Sequence, residues 1–245
     1  MDVQDVSVEW NSCLNRIQRS VPGFKVIQDT NFLVDAFRYS DSNYCRIYFL
    51  THFHSDHYDG LRSSFNHGLI LCTFTTARLC QNILGIHQKY LRPIPFNQPV
   101  LLSDIQGISK TFHPVDDWTV TFIDANHCPG ASQIIFQSVI HSKTHLHTGD
   151  FRYDKEVMLS IPFLRSIAEE KSLNSLYLDT TYIKASKGNV FPSYEESLQQ
   201  IIEIIESALK KEPKTLVLLQ TYSLGKERIL VAIAERFKFR IYAPK

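Results

Sequence analysis

The stretch THFHSDHYDG, from Thr51 to Gly60, packs His52, His54, Asp56 and His57 into six residues. It follows directly on the apolar run RIYFLT, so its first histidines stand at the end of a predicted strand. In extended backbone, side chains two positions apart project to the same side, which lets His52 and His54 grip one ion together. Asp56 and His57 fall past the turn, where they can face a second ion beside the first. Imidazole and carboxylate donors suit Zn²⁺, with bonds of about 2.0–2.2 Å, and mixed nitrogen and oxygen sets also accept Mn²⁺ or Fe²⁺. A closed structural zinc site would ordinarily recruit cysteine, so this set is hydrolytic in character. Two ions about 3.5–4 Å apart can clamp both the attacking and the leaving oxygen of an in-line displacement.

Such a centre needs further ligands from distant sequence, and two residues stand at predicted strand ends. His127 lies in DANHCPGA after TVTFIDA, and Asp150 lies in LHTGDFR after THLH. Loops that open at a sheet edge are common places for functional residues. Asp35, in FLVDAF, also ends an apolar strand, and it is expected to orient ligand side chains by hydrogen bonds rather than to bind an ion. His67, His87, His113, His141, His145 and His147 lack such placement and read as structural histidines. Five cysteines, with no CxxC pair, argue against both a disulfide framework and a zinc ribbon.

The elements that must hold these residues are short apolar and β-branched runs separated by turn residues. Predicted strands are FKVIQ from Phe24, FLVDAF from Phe32, RIYFLT from Arg46, LILCT from Leu69, TVTFIDA from Thr119, QIIFQSVI from Gln133, THLHTGD from Thr144, SLYLDT from Ser175 and TLVLLQTY from Thr215. The last residues of THFHSDHYDG are expected to open a helix. Ser193 and Glu196 form a capping box at the start of a helix carrying Leu198, Ile201, Ile202, Ile205 and Leu209 on one face, and ending near Lys210 and Lys211. A second helix is expected from about Lys226, opened by Gly225, and RFKFRIYAPK is expected to enter another strand. Residues 107–118 read as a surface loop. Strands interleaved with helices indicate an α/β or α+β sheet protein.

Of 245 residues, 44% are hydrophobic and 21% charged, which excludes a disordered chain. A net charge of +1 gives no general attraction to a polyanion, so a nucleic-acid site would have to be local or supplied by a metal. The first residues lack a signal-peptide pattern, and no stretch approaches the roughly 20 apolar residues of a membrane span. The expectation is a soluble, intracellular protein with no membrane partner.

VDAFRY, YFLTHFHSDHYDGL, DANHCPGA, LHTGDFR, YLDTTY and TYSLGKE, taken in order, resemble the nucleolytic branch of the metallo-β-lactamase superfamily that carries a β-CASP insertion. More closely, the chain resembles the DNA interstrand cross-link repair 5′-exonucleases, a group related to Artemis. The resemblance implies a metallo-β-lactamase αββα sandwich with the start of a β-CASP insertion, C-terminally truncated. Residues 1–20 would form an N-terminal extension, 21–181 the metallo-β-lactamase portion and 182–245 a partial β-CASP domain. It assigns His52, His54, His127 and Asp150 to a first metal. Asp56 and His57 go to a second, with Asp150 bridging, and Asp56 orients or deprotonates the attacking water. The cofactor would be one or two Zn²⁺ ions, with Mn²⁺ or Mg²⁺ as options at the second site.

The same resemblance makes Asp179 the first acidic position of the β-CASP region, with Asp35 and Asp179 counted beside Asp56 among the catalytic set. It places Tyr182, Ser223, Gly225 and Lys226 against the 5′-terminal phosphate. That placement suits the chemistry of a strand-to-helix turn, where helix N–H groups and an ammonium attract phosphate. The implied function is metal-dependent 5′-to-3′ hydrolysis of DNA with a 5′-phosphorylated end, in repair and in the nucleus. Two other readings stand beside it: an RNA-processing endonuclease of the same fold, and a truncated, non-catalytic homologue. The last follows from a second-metal histidine that relatives supply from beyond the position matching Lys245.

Overall fold

Alternating apolar residues build two sheets that share one core. In a computed structural model of the chain, residues 21–108, 117–183 and 191–242 are described. The first sheet holds β1 (Leu33–Val34), β2 (Ile47–Phe49), β3 (Leu69–Cys72) and β4 (Leu91–Pro93), in that order and all parallel. The second holds β5 (Val100–Leu101), β6 (Trp118–Asp124), β7 (Ser132–Ser138), β8 (Lys143–His147) and β9 (Ser175–Tyr177). Its pairings are antiparallel except between β8 and β9.

Every second residue of these strands points into the space between the sheets. Val34, Ile47, Phe49, Leu69 and Leu71 come from one side, and Trp118, Val120, Phe122, Ile134 and Phe136 from the other. Phe49 meets Phe136 edge-on at 4.9 Å between ring centres, and Phe32 meets Trp118 at 5.9 Å. Burying each such side chain contributes about 1.5–3 kcal/mol, which makes this layer the chief source of rigidity beneath the loops. On the far face of the second sheet, Ile123, Ile135 and Leu146 pack against Met158, Ile161 and Ile167. Those last residues belong to α2 (Lys155–Ser160), α3 (Pro162–Glu170) and the join between them. On the far face of the first sheet, Tyr48 meets Phe37 and Phe65, and α1 (Phe74–Leu84) packs on β4. The order is therefore helix, sheet, sheet, helix, a mixed α/β sandwich.

The chain divides into two compact units, Met1–Asp179 and Thr180–Lys245. The second unit contains α4 (Tyr194–Lys211) and α5 (Glu227–Phe237). The Ser193 hydroxyl accepts from the Glu196 amide while the Glu196 carboxylate accepts from the Ser193 amide, the reciprocal box that the sequence predicts. Ile205 and Ile233 are its buried aliphatic residues, and Arg236 reaches Glu206 at 2.6 Å.

Several predicted elements differ from those observed. FKVIQ is not a strand: Gly23–Lys25 form a single 3₁₀ turn after Pro22, and only Val26 bridges to Leu33. FLVDAF shrinks to β1, because Asp35 takes a left-handed conformation (φ 50°) that ends the ladder. The residues after His57 form turns rather than a helix, with both His57 and Tyr58 amides donating to the His54 carbonyl. Residues 215–222 form no ladder, and Leu216 and Leu218 lie about four-fifths exposed, at 78% and 82%. A strand needs a partner, and no strand is described within that unit. The same holds for 239–242, while α5 runs on through Phe237 and Phe239 stacks on it. Trp118, assigned to a surface loop, is buried in β6. Residues 1–20, His113 and the last three residues lie outside the described residues.

Candidate metal centre

His52, His54, His127 and Asp150 come together from three loops at one end of the two sheets. One ligand atom from each lies within 4.8 Å of all the others. His52 and His54 follow β2, His127 follows β6, and Asp150 follows β8. The His52 Nε2 stands 2.9 Å from His54 Nδ1, and His127 Nε2 stands 3.4 Å from that same nitrogen. One Asp150 oxygen lies 3.9 Å from His52 Nε2 and 3.8 Å from His127 Nε2. Three imidazole nitrogens and a carboxylate converging on one point make a donor set that fits a divalent cation. His52 is fully buried, whereas His127 is exposed, so the cluster opens to solvent at His127.

The other Asp150 oxygen turns to His57, 3.2 Å from its Nε2. That carboxylate therefore faces the four-residue cluster with one oxygen and His57 with the other. Asp56 sits beyond it with a largely exposed side chain, its oxygen 3.7 Å from His57 Nε2.

Beneath these residues lies Asp35, 5% exposed. One of its oxygens accepts from the Thr51 amide at 2.9 Å. The other accepts from the Thr51 hydroxyl at 2.7 Å and stands 2.7 Å from His57 Nδ1. Lys25 donates to the Asp35 carbonyl, and His147 adds its field to the same carboxylate. Burial works to raise the Asp35 pKa, but the hydrogen bond and charge of His57 outweigh it and hold the group ionised.

The electrostatics favour a cation here. Burial disfavours a charge on His57, yet its hydrogen bonds to Asp150 and Asp35 carry its pKa up to about 10. His52, held chiefly by burial and then by the charge of His57, falls to about 3. Asp150 is lowered to about 2 by its hydrogen bond with His57. Burial lowers His127 against the pull of Asp150. His52 is thus neutral, with a lone pair free, while His57 carries positive charge between the carboxylates of Asp35 and Asp150.

Asp179 anchors the next loop: its amide donates to the Thr148 hydroxyl at 3.0 Å, and Thr148 is tied through its own amide to the Tyr177 carbonyl. The DANHCPGA loop is fixed from α1, because Thr73 and Thr76 both donate to the Gly130 carbonyl, at 2.7 and 3.2 Å. Two residues near the centre were not singled out by the sequence. Thr51 touches Asp35 and His52 together, and its place between the strand and the first histidine was a usable signal. His147 was read as structural, yet it stacks on Tyr177 and lies in the field of Asp35.

The expected phosphate-end residues lie in the other unit. Tyr182 is exposed and meets Phe191 edge-on at 4.8 Å. Ser223 is exposed, and the Lys226 ammonium rests over the Tyr222 ring at 5.1 Å. Gly225 (φ 106°) precedes α5, and its amide donates to Glu227 at 2.7 Å. That N–H already has a carboxylate partner.

No family model matches the chain. Among curated proteins, the DNA cross-link repair protein SNM1 of Arabidopsis thaliana is 38% identical over 95% of this chain and 44% of its own length. The 5′ exonuclease Apollo of Danio rerio is 39% identical over 87% of this chain and 34% of its own. The DNA ligase 6 of Arabidopsis thaliana is 40% identical over 91% of this chain and 15% of its own. The chain thus spans less than half the length of these relatives. Among solved structures, a B3 metallo-β-lactamase covers 71% of this chain and 73% of its own at 13% identity, with a TM-score of 0.33, a loose likeness. No helix among the described residues is long and apolar enough to cross a membrane.

Proposed function

We propose that this chain, which belongs to the family of the DNA cross-link repair proteins SNM1 and Apollo, carries the metal centre of a DNA 5′ exonuclease that acts in repair in the nucleus. The observation that carries the reading is the convergence of His52, His54, His127 and Asp150, with His57 and Asp56 alongside. The nitrogen-rich four-residue set suits Zn²⁺, and the more carboxylate-rich side at Asp56, His57 and Asp150 suits Zn²⁺, Mn²⁺ or Mg²⁺. A bound divalent ion supplies Lewis acidity, neutralising charge on the phosphoryl oxygens and acidifying a water.

The residues do the rest. Asp150 presents one oxygen to each side of the centre and ties the two together. Asp35 holds His57 in place from below. Asp56, exposed and free to turn, orients the attacking water and takes its proton. Asp179 fixes the loop that follows β9. Exposed Tyr182, Ser223 and Lys226 offer two hydroxyls and an ammonium of the kind that holds a 5′-terminal phosphate, and Gly225 has no side chain to obstruct the backbone beside Lys226.

The test is hydrolysis by the purified chain, loaded with Zn²⁺ or Mn²⁺, of 5′-phosphorylated DNA, 5′-hydroxyl DNA and RNA of one sequence. Stepwise release of nucleotides from the 5′-phosphorylated DNA, lost in Asp56→Ala/His57→Ala, is the expected result. Metal-dependent cleavage that survives that double substitution, or internal cleavage of RNA alone, would overturn it.

A further inference from the structure

A histidine serves as a metal ligand only when the nitrogen facing the ion carries no proton, so something must hold the proton on the other nitrogen. For His57 the holder is plain: its Nδ1 stands 2.7 Å from the ionised Asp35 carboxylate, which can only accept, so Nδ1 keeps its proton and Nε2 is the nitrogen turned to Asp150, the one a cation would take over. His52 has no carboxylate at its Nδ1. Its neighbour there is the Thr51 hydroxyl, at 3.0 Å.

A threonine hydroxyl has one proton to give. Asp35 requires it, because the Thr51 oxygen lies 2.7 Å from a carboxylate that has no proton of its own. Towards His52 the hydroxyl can therefore only accept, and the proton of that contact must sit on His52 Nδ1. The opposite tautomer would press two lone pairs together at 3.0 Å in a fully buried place. We infer that Thr51 is a positioning residue that relays the charge of Asp35 to His52, fixing the tautomer that leaves His52 Nε2 free for an ion. One buried carboxylate then sets both histidines, His57 directly and His52 through a hydroxyl.

The surroundings leave Thr51 no other arrangement. Its carbonyl accepts from the amide and hydroxyl of Ser132, both at 3.0 Å, and its amide donates to Asp35. Gly149 presses on the side chain: a Cβ built there would come 2.8 Å from the Thr51 Cβ and 3.0 Å from its hydroxyl oxygen. The loop that bears Asp150 thereby holds the rotamer that Asp35 requires.

The inference rests on His52 being a ligand, and its test separates the two. Long-range proton–nitrogen correlation on the metal-free chain near neutral pH should show His52 protonated at Nδ1 and bare at Nε2. Thr51→Val keeps the shape and removes the hydroxyl. It should retain the far-ultraviolet spectrum, lose the single tautomer, and bind Zn²⁺ about 10- to 100-fold more weakly. Thr51→Ser should restore both. A proton on Nε2 in the unmodified chain overturns the inference, even if Thr51→Val does not fold. So does Zn²⁺ affinity in a folded Thr51→Val equal to that of the parent, or Thr51→Ser as weak as Thr51→Val. If the unmodified chain binds no Zn²⁺, the ligand reading fails, while the tautomer spectrum still decides the role of Thr51.

Discussion

Asp35 is buried and accepts hydrogen bonds on both oxygens, whereas Lys226 is exposed and rests its ammonium on a tyrosine ring. Under the proposed function, the two residues stand for two ways of preparing a site. Around Asp35 every polar group is fixed by another, and the layer below is a sheet sandwich of interlocked aromatic rings. Around Lys226 the chain is a turn between an unladdered segment and α5, in a unit whose buried aliphatic residues are Ile205 and Ile233. A metal centre requires donors placed within a few tenths of an ångström, so its cost is met in advance by buried hydrogen bonds. A terminal phosphate can be gathered by charge and backbone amides on a surface that adjusts to it.

That contrast is broken most severely at Asp35. Asp35→Ala leaves the buried Thr51 hydroxyl and His57 without their acceptor, and should cost about 3–5 kcal/mol of stability in urea denaturation, together with the metal affinity. An unchanged denaturation midpoint would show that the network is not what stiffens the centre. Gly149→Ala comes next. It places a side chain at φ 52° and drives a Cβ into Thr51, so it should cost about 2–4 kcal/mol by the same measurement.

A smaller effect separates sheet core from site. His145 is buried between the sheets against Trp118, with neither ring nitrogen hydrogen-bonded, and burial lowers its pKa. Lys143 and Asp29 are the charged groups acting on it, Lys143 lowering and Asp29 raising it. Because the folded value lies below the unfolded one, the unfolded chain binds the extra proton. The stability His145 allows is fully present above the unfolded pKa of about 6.5, and is lost as pH falls below it towards the folded value, by at most about 1.4 kcal/mol per pH unit. His145→Phe should flatten that part of the denaturation midpoint plotted against pH. A slope unchanged by the substitution would place the acid sensitivity elsewhere.

The smallest change in stability belongs to the second unit. Lys226→Ala should move the midpoint by no more than about 0.5 kcal/mol. It should nonetheless lower the preference for 5′-phosphorylated over 5′-hydroxyl DNA about tenfold, the worth of one charge-assisted hydrogen bond. Loss of stability without loss of preference would reverse the contrast between the two regions.

The same contrast governs what could be read from the sequence. TVTFIDA and QIIFQSVI were legible because their alternation is satisfied on both faces, by the opposite sheet and by α2 and α3. TLVLLQTY has a similar composition and forms no ladder, since pairing depends on a partner that local pattern does not encode. FKVIQ failed for another reason: Pro22 and Gly23 turn the chain before the apolar residues can extend. Asp35 was legible as a hydrogen-bonding residue because it ends an apolar strand, and it meets His57. Thr51 was passed over, because a threonine at the end of an apolar run is ordinarily taken for β-propensity, and its second contact arrives from sixteen residues away. His147 and His145 were read as structural, and the strand period puts both on the inner face of β8.

The proposed function depends on the cluster of three histidines and one aspartate holding a cation. Equilibrium dialysis against Zn²⁺, with the metal counted per chain, tests that most directly when the parent is compared with His54→Ala/His127→Ala. At least one tightly held ion per parent chain is expected, with its loss in the double variant and the far-ultraviolet spectrum unchanged. A parent that holds no ion, or a double variant that holds as much as the parent, would contradict it.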